Sequence, residues 1–292
     1  MMYTEKANFE VLCRLGAFLQ GGARLDGQAV CEIARDCGVS EQEAALQMLG
    51  AECGFDTETA EGRALFEGWL RPGFHLMDPE TYRRDAYLLR VPFQDARRGR
   101  WQMTHKCLEA FEVFVSDDLL RLEDGRELVP LGAFRERFEY PAILQDGREW
   151  MTLAPVEINS MRPFIQEAAG RVVLYGLWLG YCLFHLLQKP GVRQVTVVER
   201  DQEVLDLFRE EIYPWFPNRA RCTLIREDAL AYAKALPEDT QFVFGDIWHD
   251  ALDGAPLYLA LRSLERSGIR YRYWMENQLK ARVRQLTEEV ES

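Results

Sequence analysis

The spacing of apolar residues divides the chain into three regions that predict different structures. In residues 1–72 the apolar positions recur at helical spacing, and the first stripe consists of Phe9, Val11, Leu12, Leu15, Phe18 and Leu19. A second helix is predicted over residues 28–37, with Gly38 as its stop. Ser40 and Glu43 have the spacing of a capping box and predict the start of a third helix. The region is therefore expected to be helical.

The middle region, residues 73–154, has shorter apolar runs separated by turn signals. Residues 87–91 and 111–115 are such runs, and Asp124-Gly125 and Asp146-Gly147 are turn dipeptides. The pattern predicts short strands and hairpins, which we expect to form the substrate side of the protein.

Residues 155–292 alternate between strand and helix patterns. Five apolar runs predict strands, at 171–175, 194–199, 222–226, 241–246 and 269–274. Such alternation predicts a mostly parallel sheet with helices on both faces. The tail from Glu276 has apolar residues at helical spacing and predicts one amphipathic helix. The expected fold class is therefore α/β and Rossmann-like, with an N-terminal helical region and a small region of β-hairpins.

Charge and composition exclude several classes of partner. The net charge of −12 repels phosphate backbones, and the densest basic run, Arg97-Arg98-Gly99-Arg100, is short and predicted to be a solvated loop. Residues 33–40 resemble a helix-turn-helix, but the helix after Ser40 begins with acidic residues, where a DNA-reading helix needs basic or amide side chains. We therefore expect a helical docking element and no nucleic-acid partner.

The chain also lacks the patterns of a membrane, secreted or metal-binding protein. No run of eighteen apolar residues is present, and residues 1–9 do not form a signal peptide. The seven cysteines include no Cys-x-x-Cys pair, so neither a disulfide framework nor a metal site is predicted. A cytoplasmic location is expected, and an oligomer is left open.

Candidate site residues follow the predicted strands. Gly176 and Gly180 follow the first strand, and Glu199 ends the second, 23 residues beyond Gly176. Asp228-Ala229 follows the third strand, and the segment 246–250 follows the fourth. Ligands of open α/β sheets bind at the carboxyl ends of the strands, and an acid at the position of Glu199 can accept hydrogen bonds from a ribose diol. These residues are therefore expected to share one crevice.

The segment Arg171–Asp250 resembles the core of class I S-adenosylmethionine-dependent methyltransferases. Within that superfamily it is most similar to the spermidine-synthase-like branch, because Val195–Phe208 matches the second strand and helix of that branch. More narrowly, the chain resembles an uncharacterised bacterial family of methyltransferase-like proteins. The matching pieces are Phe138–Ala142, Trp150–Thr152, Gly176-x-x-x-Gly180-Tyr181, Asp246–Asp250 and Tyr273-Trp274. The resemblance covers about half of the chain and leaves out the helical N-terminus.

The resemblance implies S-adenosylmethionine as cofactor and assigns its contacts. Gly176, Trp178 and Gly180 would lie in the loop beneath the methionine end of the cofactor. Glu199 would hold the ribose hydroxyls. Asp228 would bind the adenine amino group, with Ala229 beside the ring.

The resemblance also implies a catalytic mouth after the fourth strand. Asp246 stands where the superfamily places an acid or amide that faces the substrate. His249 and Asp250 would line the same mouth, and a histidine oriented by an acid can transfer a proton near neutral pH.

Two positions of the glycine loop depart from the superfamily pattern. The usual acid is replaced by Leu174, and the middle glycine is replaced by Trp178. The acid would pair with the ammonium group of the cofactor, and the glycine lets the backbone approach the cofactor closely. Either change is expected to weaken cofactor binding unless the pocket is remodelled.

Three functions fit these residues. The first is a small-molecule methyltransferase or aminopropyltransferase-like enzyme, in which Asp246 and His249 handle a proton. The second is a degenerate module that keeps the fold for an interaction or regulatory role, with Trp178 filling the pocket. The third is a nicotinamide dehydrogenase, which the Asp228-Ala229 pair argues against.

Overall fold

The structure is a computed structural model and describes residues 2–177 and 179–291. The chain forms two compact units that interleave in sequence. The first unit contains the residues up to Tyr82 together with Cys107–Glu139. The second contains Arg83–Lys106 together with the residues from Tyr140 onward. The division into regions at residues 72 and 154, which the sequence pattern suggests, stays a prediction.

The first unit combines short helices with small sheets. Its helices are α1 (Met2–Gln20), α2 (Gly27–Cys37), α3 (Glu41–Glu52), α4 (Ala60–Leu65), α5 (Arg71–Gly73) and α6 (Glu80–Arg83), with a π-helical turn at Phe66–Leu70. Its strands are β1 (Phe74–Met77), β4 (Val113–Val115), β5 (Leu120–Arg121), β6 (Glu127–Leu128) and β7 (Leu131–Phe134). Strand β7 pairs in parallel with β1 and antiparallel with β4, while β5 and β6 form a hairpin. The helical prediction for residues 1–72 is confirmed, and Ser40 accepts the Glu43 backbone N–H as a cap of α3.

The second unit is built on a five-stranded parallel sheet. Its strands are β10 (Gly170–Tyr175), β11 (Val192–Glu199), β12 (Cys222–Arg226), β13 (Phe242–Gly245) and β14 (Arg270–Tyr273). They are arranged in the order β12-β11-β10-β13-β14, and each neighbouring pair is parallel. The strand order reverses between β10 and β13, which is where open α/β sheets bind ligands. The predicted Rossmann-like α/β fold is confirmed.

Helices and a second sheet complete this unit. The helices are α7 (Ala86–Arg90), α8 (Pro155–Glu167), α9 (Tyr181–Gln188), α10 (Gln202–Leu207), α11 (Ala229–Lys234), α12 (Ala251–Arg262) and α13 (Glu276–Glu291), and a π-helical turn at Phe208–Ile212 extends α10. Strands β2 (Ala96–Arg98), β3 (Trp101–Leu108), β8 (Phe138–Gln145) and β9 (Arg148–Thr152) form the sheet β2-β3-β8-β9. No helix in the described part of the chain is long and apolar enough to span a membrane.

The strand predicted at residues 87–91 is wrong, because this segment is helix α7. Asp85 accepts the Tyr87 backbone N–H and caps the helix. Tyr87 and Val91 are buried whereas Leu89 is exposed. Burial at positions four residues apart fits a helical turn, whereas a strand would place alternate residues on one face.

Candidate functional site

An open cleft lies at the carboxyl ends of the parallel strands. The residues that line it come from the ends of β11 and β12, the segment after β13, the helices α10, α11 and α12, and the sheet β2-β3-β8-β9 with its β2–β3 turn. They are Arg100, Trp101, Gln145, Trp150, Val198, Glu199, Arg200, Asp201, Val204, Glu227, Asp228, Ala229, Leu230, Ile247 and Leu257. The structure therefore brings together three of the predicted residues: Glu199, Asp228 and Ala229.

Glu199 connects the second strand to the glycine loop. One carboxylate oxygen, Oε2, accepts the backbone N–H of Leu177 at 3.3 Å, and Oε1 accepts that of Asp201 at 2.8 Å. The residue is only 6% exposed, and burial raises the pKa of its carboxyl. The carboxylate thus fixes the start of the loop while it lines the cleft.

The glycine loop requires glycine at both of its ends. Gly176 and Gly180 have φ angles of 96° and 70°, a region that other residues rarely adopt. A side chain at Gly180 would place its Cβ 2.5 Å from the Phe208 ring and 3.0 Å from that of Phe216. Both rings are buried, so they cannot move away easily.

Replacement of Gly180 by Ala is therefore expected to destabilise the protein by about 2–4 kcal/mol, through backbone strain and overpacking together. Urea unfolding measures the change. Gly191→Ala is the matched control, because its Cβ would lie 3.8 Å from the nearest atom, the Ala169 Cβ. Equal unfolding midpoints for the two variants would contradict the steric argument.

Asp228 and Ala229 lie where β12 passes into α11. Asp228 is exposed, and its side chain caps α11 by accepting the Ala231 backbone N–H at 3.0 Å. Ala229 is buried at the floor of the cleft. The short side chain leaves room for a flat ring beside it, and the adenine contact stays a prediction.

The outer wall of the cleft comes from the sheet β2-β3-β8-β9. Arg100 forms an ion pair with Asp201 at 3.0 Å, and the Trp101 indole donates to the same carboxylate at 3.2 Å. Trp101 also packs edge-on against Trp150, with ring centroids 5.9 Å apart. Sequence reasoning missed this wall and interpreted the arginine run as a solvated loop. The two contacts with Asp201 join residues about a hundred positions apart, and no local pattern signals them.

Asp246 lies at the end of β13 and is 8% exposed. Burial, followed by the charge of Glu199, raises the pKa of its carboxyl to about 8. Asp246 and Gly176 both line a very small apolar cavity beneath the glycine loop, together with Leu174, Tyr181 and their neighbours. This cavity lies where the methionine end of the cofactor is expected, and Leu174 gives it an apolar wall where the superfamily has an acid.

A second acid near Asp246 was missed by sequence reasoning. Glu157, on α8, lines the same very small cavity as Asp246 and three tryptophans, Trp150, Trp248 and Trp274. Burial and the charges of Asp246 and Glu149 raise the pKa of the Glu157 carboxyl well above its usual value. Glu157 belongs to none of the sequence motifs described above, and its proximity to Asp246 depends on the tertiary fold.

His249 and Asp250 have structural contacts. The His249 Nε2 atom lies 2.9 Å from the Glu149 carbonyl oxygen, so this nitrogen carries a proton and donates it. Its Nδ1 atom lies 3.6 Å from Asp250 Oδ2. Asp250 also caps α12 in a capping box with Asp253. Catalytic roles for the two residues stay predictions. Trp178 lies outside the described residues, so its predicted place in the pocket also stays a prediction.

The strand order and the cleft define a Rossmann-like α/β domain. No protein-family model matches the chain. The chain is 32% identical over 88 residues to polyamine aminopropyltransferase 2 of Pseudomonas aeruginosa. That match covers 29% of this chain and 25% of the relative, so the chain matches only about a quarter of the length of that relative.

Solved structures with a similar arrangement include two spermidine synthases. The enzyme from Thermotoga maritima is 14% identical, with a TM-score of 0.30, over 42% of this chain and 49% of that one. A spermidine synthase in complex with the transition-state analogue AdoDATO is 13% identical, with a TM-score of 0.28, over 37% and 41%. The fold assignment itself rests on the strand order and the parallel register.

Proposed function

We propose that the cleft binds the adenosyl group of S-adenosylmethionine or a closely related sulfonium nucleoside, and that the protein transfers an alkyl group from it to a small molecule. The observation that carries the proposal is the position of Glu199. Its buried carboxylate lies in the cleft and at the same time accepts a backbone N–H of the glycine loop. One group can thus position both the ribose and the loop that follows the first strand.

The charge of the cleft supports a cationic ligand. Four acids line it, at Glu199, Asp201, Glu227 and Asp228, against the two arginines Arg100 and Arg200. Arg100 is already paired with Asp201. A sulfonium nucleoside is attracted by this surplus of negative charge, whereas the pyrophosphate of a nicotinamide dinucleotide is repelled. The charge therefore favours a sulfonium nucleoside over the dehydrogenase alternative.

The chemistry requires few groups from the protein. When bound, S-adenosylmethionine supplies an electrophilic carbon attached to a positively charged sulfur. The chain must align the acceptor molecule with that carbon, and it must remove a proton from the acceptor. Asp246 is suited to take that proton, because a base with a pKa near the working pH is efficient. The open cleft and this acid support an enzyme over the degenerate module.

Isothermal titration tests the proposal with three ligands: S-adenosylhomocysteine, 5′-methylthioadenosine and NAD. We expect both sulfur nucleosides to bind and NAD to bind at least tenfold more weakly. Absence of heat with millimolar sulfur nucleosides would overturn the proposal. Tighter binding of NAD than of either nucleoside would support the dehydrogenase instead.

A further inference from the structure

The glycine loop is contacted by a segment that lies far from it in sequence. Helix α7 lies in the segment Arg83–Lys106, which belongs to the same compact unit as the parallel sheet. The residues directly before and after this segment in the sequence belong to the first unit. The Tyr87 hydroxyl donates to the Leu179 carbonyl in the glycine loop at 2.6 Å. Both residues are fully buried. A buried hydrogen bond therefore connects α7 to the loop.

Asp85, just before α7, holds the beginning of helix α9. One of its oxygens, Oδ2, accepts the Tyr181 hydroxyl at 2.8 Å. The other, Oδ1, lies 3.1 Å from His185 Nε2 and accepts the Tyr87 backbone N–H at 2.8 Å. Asp85 thus fixes Tyr87 and the first turn of α9 at the same time.

Aromatic packing restricts the same contact. The Tyr87 ring lies 5.7 Å from the Tyr181 ring and 5.3 Å from the Phe184 ring, between centroids. It also packs edge-on against Phe216 at 6.1 Å. Phe216 is one of the two rings that close on Gly180. These three rings restrict the orientation of the Tyr87 side chain, so that its hydroxyl points toward the loop.

We propose that Tyr87 and Asp85 are positioning residues that set the conformation of the Gly176–Gly180 loop for the methionine end of the cofactor. The inference rests on the proposed function, because that function supplies the ligand. The hydrogen bonds of Tyr87 and Asp85 are present whether or not a ligand binds. Glu199 holds the loop at Leu177, and Tyr87 holds it at Leu179. These two side chains hold the loop at Leu177 and Leu179, in addition to the backbone hydrogen bond from the Gly176 N–H to the Val198 carbonyl.

The test is the variant Tyr87→Phe, which removes the hydroxyl and keeps the ring. Loss of a hydrogen bond to a buried carbonyl lowers the stability of the loop conformation that binds the ligand. The free energy lost corresponds to about a tenfold decrease in affinity. We expect about tenfold weaker binding of S-adenosylhomocysteine, which has the amino-acid end. Binding of 5′-methylthioadenosine, which lacks that end, should change by less than about twofold. A purely structural role would not separate the two ligands.

Hydrogen exchange provides a readout that needs no ligand. Peptides that span residues 176–181 should take up deuterium faster in Tyr87→Phe than in the wild type, while peptides from β11 should not change. The matched control is Tyr175→Phe. Tyr175 directly precedes the loop and is buried, and its hydroxyl has no hydrogen-bond partner within the described residues. This control should leave both exchange and affinity unchanged.

A second pair of variants tests Asp85. Asp85→Asn keeps an oxygen that can accept a hydrogen bond, whereas Asp85→Ala removes it. We expect the alanine variant to reproduce Tyr87→Phe. The asparagine variant keeps one of the two accepting oxygens, so its affinity for S-adenosylhomocysteine should lie between those of the wild type and the alanine variant.

Unchanged exchange at residues 176–181 in Tyr87→Phe would overturn the inference, as would equal weakening of both ligands. If the wild type binds neither nucleoside, the proposed function fails. The exchange measurement then decides alone whether Tyr87 holds the loop.

Discussion

Replacement of Glu199 by Gln is expected to weaken binding of S-adenosylhomocysteine by about 10–100-fold. Both oxygens of Glu199 accept backbone N–H groups, from Leu177 and Asp201. An amide has one accepting oxygen, so its NH₂ group must face one of these donors. Hydrogen bonds to charged groups contribute about 1.5–3 kcal/mol, which corresponds to the stated loss of affinity. The ribose would lose its acceptor and the loop would lose a contact.

Isothermal titration of the wild type and of Glu199→Gln measures this effect. Glu238→Gln is the control, because Glu238 is an exposed acid that does not line the cleft. Circular dichroism and urea unfolding establish that each variant is folded. If Glu199→Gln binds as tightly as the wild type, Glu199 does not hold the nucleoside.

Asp246 is expected to make the stability of the protein decrease as the pH rises from about 4 to about 8. Burial, followed by the charge of Glu199, raises the pKa of Asp246 from 3.8 to about 8 in the folded protein. Between these two values the folded chain holds a proton that the unfolded chain releases, so the free energy of unfolding falls with pH. The stabilisation is complete below pH 4 and is lost as the pH reaches 8. Asp246→Asn removes this dependence.

Urea unfolding at pH 6 and pH 8 provides the measurement. The stability of Asp246→Asn relative to the wild type should increase by about 2 kcal/mol between the two pH values. Glu157 also has a raised pKa, and the charge of Asp246 is one of its causes, so the comparison is made in a Glu157→Gln background to remove that contribution. The control Glu238→Gln should follow the wild type. Parallel behaviour of Asp246→Asn and the wild type would show that Asp246 ionises normally.

The sequence predicted those parts of the site that depend on local pattern. Strand ends can be located from short apolar runs, and Glu199, Asp228 and Asp246 each follow such a run. Parallel strands place their carboxyl ends at the same edge of the sheet. The fold class therefore predicts that these residues lie close to one another. The gathering of Glu199, Asp228 and Ala229 in one cleft could therefore be predicted without coordinates.

The remaining parts depend on contacts between distant segments. Arg100 and Trp101 reach Asp201 across about a hundred residues, and Tyr87 reaches Leu179 across 92. Glu157 meets Asp246 only through the packing of α8 near β13. Tyr87 was in addition assigned to a strand, because a short apolar run does not distinguish a buried strand from a helical turn. No spacing rule within one segment encodes such contacts.

A crystal structure of the protein grown with S-adenosylhomocysteine tests the central claim most directly. The account predicts the adenine beside Ala229, the ribose hydroxyls within hydrogen-bond distance of Glu199, and the amino-acid end beneath the Gly176–Gly180 loop. A ligand bound elsewhere, or one that lies in the cleft with its ribose turned away from Glu199, would contradict it.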